Sequence, residues 1–118
     1  MEKSWLENIH YQISGFSDLE QQKKAWLEFD DTIVSSYSED LCMLFDSFDF
    51  DNFIKEWERE EYNVEILREI IIFRNMLNIY DKKMPNDGKW HDDDVIKDSE
   101  WLKVVNQAKN VIDIWKIE

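Results

Sequence analysis

The side chains of this sequence best equipped for chemistry are two histidines, one cysteine and several runs of aspartate. His91 is followed by Asp92, Asp93 and Asp94, and an imidazole among carboxylates is a donor set that a divalent metal can use. Consecutive residues point in different directions, however, and no distant ligand pair completes the set. The run therefore reads as an exposed acidic segment. Asp46, Asp49 and Asp51 invite comparison with a calcium loop, but an EF-hand needs oxygen ligands at alternate positions, a sixth glycine and a twelfth glutamate, and that register is missing. His10 has no histidine or cysteine near it in sequence and reads as a surface residue; nothing in the spacing brings it to His91 as an acid and base pair. Cys42 has no second cysteine to pair with, and its apolar surroundings predict a buried small hydrophobe. A glycine-rich phosphate loop, a paired-cysteine zinc motif, a helical HExxH and a nucleophile elbow are all lacking. The expectation is a binding protein with no cofactor or metal, not an enzyme.

Charge gives the next constraint. Fourteen basic residues against 27 acidic ones leave a formal net charge of -13, which repels phosphate backbones and anionic membrane surfaces. Neither nucleic acid nor membrane is an expected partner. The same field draws in basic proteins and speeds their encounter. Contact surfaces combine charge with aromatic anchors, and two stretches have that mixture. Trp90 precedes Asp92, Asp93 and Asp94, and Glu58, Glu61 and Tyr62 lie beside Trp57. These seven exposed candidates, Trp90, Asp92, Asp93, Asp94, Glu58, Glu61 and Tyr62, are the expected partner-binding residues.

The elements that must position them are helical. Apolar residues make up 43% of the chain and only two glycines and one proline occur, so a fold built on many tight turns is disfavoured. At 118 residues the chain is expected to form a single helical domain over 1–118. The pattern predicts an all-α bundle of about five helices around a central helix at 63–82. Asn63 caps that helix, and Leu67, Ile70, Phe73, Leu77 and Tyr80 form its apolar arc. A second stripe, Ile72, Met76 and Ile79, awaits either the 39–61 region or another protein. Arg74 falls inside the arc and is expected to be ion-paired at a helix junction.

Around this helix, capping boxes at Ser4–Glu7 and Ser17–Glu20 predict a first helix ended by Gly15 and a second running to about Tyr37. A short helix over 39–48 follows, then one from Asp51 or Asn52 to about Glu61, and a last one opening at Asp98 or Ser99. That last helix has an apolar seam of Trp101, Val105, Ala108, Ile112 and Trp115, expected to pack antiparallel on the central helix. Between them, Pro85 to Asp94 reads as an extended loop. The opening MEKSWLENIH lacks a basic region followed by a hydrophobic segment, which predicts a cytoplasmic protein.

The C-terminal half, LREIIIFRNMLNIYDK, then an acidic loop, then DVIKDSEWLKVVNQAKNVID, resembles small helical immunity proteins of bacterial polymorphic-toxin and contact-dependent growth-inhibition systems. The likeness spans residues 64–116 and is carried by Asp98-Ser99-Glu100-Trp101, Val104-Val105 and Ala108, with Ser99 where the family often has proline. It implies a protein that binds and neutralises a cognate toxin domain acting in the cytoplasm, a basic nuclease being the natural partner of so acidic a chain. The alternative is an acidic inhibitor from a phage or mobile element that imitates DNA to block a nuclease or restriction system. That class predicts carboxylates spaced along one face like phosphates.

Overall fold

The computed structural model describes residues 2–27, 36–83 and 92–116, and these contain helices and turns but no strand. The central helix α5, Val64–Lys82, begins where Asn63 accepts hydrogen bonds from the backbone N–H groups of Glu65 and Ile66. Its buried residues are Leu67, Ile70, Phe73, Leu77 and Tyr80, the arc its 3.6-residue period places on one side. The helix α7, Ser99–Ile114, is its main partner and runs antiparallel to it. Tyr80 near the end of α5 donates to Asp98 before α7, and Gln107 midway along α7 donates to both the carbonyl and the carboxylate of Glu69. Asp98 also caps α7 by accepting from the Glu100 N–H at 2.9 Å.

Helix α1, Lys3–Phe16, also packs antiparallel on α7: Phe16 meets Trp101 as well as Phe73 of α5, and His10 meets Trp115. Helix α2, Leu19–Leu27, turns back across this end. Helix α3, Tyr37–Cys42, passes directly into a π turn, Met43–Ser47, closed by the Phe48 N–H on the Met43 carbonyl. Helix α4, Phe50–Arg59, then packs on α5 through Phe50, whose ring meets Phe73, while Phe53 meets Trp5 of α1 and Trp115. Two aromatic clusters fill the core. Trp101 is surrounded by Phe16, Trp26, Tyr37 and Tyr80, and Trp57 by Phe53, Tyr62 and Trp115. Tyr37 donates to Asp81 and Tyr80 to Asp98, each at 2.9 Å. Burial first, and then these carboxylate acceptors, raise both phenol pKa values well above the ordinary tyrosine range.

Several local expectations give way to other solutions. Helix α1 starts at Lys3 after Glu2 with no side-chain cap, so Ser4 and Glu7 form no capping box. Gly15 lies within α1, which ends one residue later, and a side chain there would meet nothing within 4 Å. Asp18 rather than Ser17 caps α2, accepting from the Gln21 N–H, while the Ser17 hydroxyl donates to the Ser14 carbonyl. Tyr37 opens a helix capped by Ser36, and the part of the expected second helix over 28–35 lies outside the described residues. Asp49 precedes α4 in place of Asp51 or Asn52. Cys42 is exposed, not buried. His10 is half-buried, with Nε2 2.9 Å from the Trp115 carbonyl, rather than a free surface residue. The segment after α5 is not extended as far as Asp94, because Asp92–Lys97 forms the short helix α6, its Val95 buried. No described helix is long and apolar enough to cross a membrane.

Candidate functional site

The corner between α4 and α5 is set by the way α4 stops. The Glu61 N–H bonds to the Glu58 carbonyl and the Tyr62 N–H reaches back to the Trp57 carbonyl, with Glu61 left-handed at φ 53°. This is the Schellman arrangement, in which the left-handed position satisfies the last helical carbonyls and is ordinarily glycine or asparagine. The accompanying apolar contact is present too: the rings of Tyr62 and Trp57 lie 5.2 Å apart. Trp57 is itself anchored, its indole N–H donating to the Asn63 carbonyl at 3.2 Å. A buried tryptophan thus holds a tyrosine that is 50% exposed, beside Val64, 65% exposed.

The charges at this corner oppose stability. Glu58 stands in the last turn of α4, where the helix dipole disfavours an anion, and Glu60 and Glu61 follow it. All three are exposed, as is Glu65 in the first turn of α5. Arg59 is engaged by Glu56 at 2.6 Å. Glutamate also gains nothing in the left-handed region, unlike Asp49, the other such residue among those described, whose carboxylate accepts from Asn52 at 2.7 Å. Stability alone would place glycine at 61 and a cation at 58. What the arrangement offers instead is an exposed aromatic and an exposed valine with the carboxylates of Glu58, Glu61 and Glu65 close in sequence.

Glu58, Glu61 and Tyr62 are therefore brought together. Asp94 is exposed in the first turn of α6, and Asp92 and Asp93 share that helix. Trp90 lies outside the described residues, as does His91. The two groups of candidates are not adjacent. The corner opens α5, whereas α6 leads into Asp98, which meets Tyr80 near the other end. At 1.5 Å per residue, the helix of 19 residues between them is about 28 Å long. Between them α5 exposes Ile72 and Ile79, which the 39–61 region leaves uncovered; Met76 is half-buried. Val64 was absent from the expected contact set: it stands three residues before buried Leu67, on the same side of the wheel, so periodicity gives no sign of its exposure at the start of α5. Among the described residues no three histidine, cysteine, aspartate or glutamate side chains gather in a metal-binding group, Asp46, Asp49 and Asp51 included.

Comparison of the chain with protein-family models, with curated proteins and with solved structures finds no match.

Proposed function

We propose that this chain is an immunity-type inhibitor: it binds and neutralises a cognate toxin domain acting in the cytoplasm, a basic nuclease being the class its charge suits best. The observation that carries this reading is the α4–α5 corner, where Glu61 is held left-handed between Glu58 and the half-exposed Tyr62. Non-glycine residues kept in costly conformations persist where another requirement outweighs stability, and such positions cluster at functional sites. A tyrosine pinned by Trp57 is a preorganised anchor, and the carboxylates close to it in sequence exclude acidic partners while steering basic ones. The net charge of -13 and the likeness of residues 64–116 to helical immunity proteins point the same way.

A DNA mimic fits this corner less well. Its carboxylates would be spaced along a face, whereas Glu58, Glu61 and Glu65 lie close in sequence to an aromatic and an exposed valine. The chain acts by occupying its partner and carries out no catalysis itself.

The test is capture from native lysate with the tagged protein, followed by co-expression of what is recovered. A single basic toxin-like protein, whose growth arrest this chain relieves, supports the proposal. Recovery of many unrelated DNA-binding proteins, or of a partner whose toxicity is unaffected, contradicts it.

A further inference from the structure

A second surface lies away from the corner. Helices α1, α2 and α3 and the π turn enclose a groove of about 780 Å³, open to solvent on one side. Its walls carry Asp18, Glu39 and Asp40, and no lysine or arginine is among the described residues that line it. Apolar surface accompanies those acids. Tyr11 on the α1 wall is 77% exposed, Met43 on the π turn is 43% exposed, and part-buried Trp26 contributes from α2. The walls are held in place: Gln12 of α1 donates to the Asp40 carbonyl of α3, and buried Gln22 donates to the Gly15 and Phe16 carbonyls. The π turn on the rim is itself a departure from regular helix of the kind found at functional sites.

We infer that this groove docks a short lysine- or arginine-bearing segment of a basic protein, separately from the α4–α5 corner. The exposed carboxylate of Glu39 on the α3 wall meets a cationic head. Tyr11, Trp26 and Met43 take the aliphatic stems, with the aromatic faces adding attraction for a cation. The open side decides in favour of a chain segment over a small polycation, since small-molecule sites bury most of their ligand. This inference does not depend on the inhibitor role, because it concerns other residues and its probe is a peptide of known sequence.

The experiment titrates the intact protein with a synthetic peptide alternating lysine and leucine, following backbone amide resonances and the alkylation rate of Cys42. Cys42 is the sole cysteine, is exposed and lines the groove, so it reports occupancy directly. Binding is expected to shift Tyr11, Glu39 and Met43 and to slow alkylation severalfold. Glu39→Lys weakens it about tenfold or more, as a like-charge contact does, and Glu58→Lys leaves it intact. Tyr11→Ala, at a solvent-exposed position, weakens it as well and keeps the test decisive if Glu39→Lys loosens the first turn of α3. Shifts spread evenly over the acidic surface, equal losses in Glu39→Lys and Glu58→Lys, identical shifts with spermine, or no binding would each overturn the inference.

Discussion

The indole N–H of Trp101 donates to Oε1 of Gln22 at 2.8 Å, and the amide nitrogen of the same glutamine donates to the Gly15 and Phe16 carbonyls that end α1. One buried side chain thus joins α1, α2 and α7. Gln22→Leu keeps most of the volume but leaves the buried Trp101 indole N–H and the Phe16 carbonyl without their partner, while the Gly15 carbonyl keeps the Asp18 N–H. Each such group costs about 1–3 kcal/mol when water cannot replace the partner, so the variant is expected to lose about 2–4 kcal/mol. Urea denaturation measures this as a lower midpoint with unchanged slope.

The buried phenols predict alkaline sensitivity. Tyr37 and Tyr80 hold their protons more tightly in the folded protein than in the unfolded chain, through burial and then through Asp81 and Asp98. Below the ordinary tyrosine pKa of about 10 both states are protonated, and this contribution to stability is fully present. Above it the unfolded chain releases protons that the folded chain retains, so unfolding is favoured and stability falls as pH rises toward the folded values. Denaturation midpoints should therefore begin to drop above about pH 10. In Tyr37→Phe the drop should be shallower, and a drop as steep as in the parent protein would count against the assignment.

At Glu61 stability and binding are expected to separate. Glycine accepts the left-handed conformation without the side-chain penalty, so Glu61→Gly should stabilise the protein by about 1 kcal/mol. It also removes a carboxylate beside Tyr62 and frees the backbone that orients that ring, so partner affinity should fall. Thermal melting and titration with the captured partner measure the two effects. A variant that gains stability and keeps full affinity would make the strain incidental to function.

Charge reversal of Asp92, Asp93 and Asp94 to lysine tests reach. These residues lead toward the far end of α5, a helix about 28 Å long that begins at the corner, and a standard interface covers roughly 800 Å² per partner. Their expected role is steering: the variant should associate more slowly and with weaker salt dependence, while its dissociation rate stays the same. A faster dissociation would show that the partner extends along α5 over Ile72 and Ile79.

The central helix was the most legible part of the chain. Its cap at Asn63 and its arc of Leu67, Ile70, Phe73, Leu77 and Tyr80 follow from periodicity alone, because one helix with one buried side needs no information from elsewhere. The Arg74 pairing was legible as a need but not as a partner: its Nε lies 2.9 Å from Asp51, on a helix distant in sequence. With side chains 31% and 52% exposed, that pair is worth no more than about 1 kcal/mol. Features that break local rules were hidden. A Schellman ending without glycine leaves no signature at Glu61, and Gly15 advertises a helix end where α1 continues. Aspartates that read as loop open α6. The π turn after Cys42 shifts the 3.6-residue register on which burial of that segment was judged. The groove draws its walls from three separate stretches, so no single window of sequence contains it.

Docking of a basic protein on the α4–α5 corner is tested most directly by the equilibrium affinity of the captured partner for Tyr62→Ala. Truncating a preorganised, half-exposed aromatic at the centre of an interface typically costs 2 kcal/mol or more, so affinity should fall about thirtyfold with the fold intact. An unchanged dissociation constant would place the interface elsewhere and contradict the proposed site.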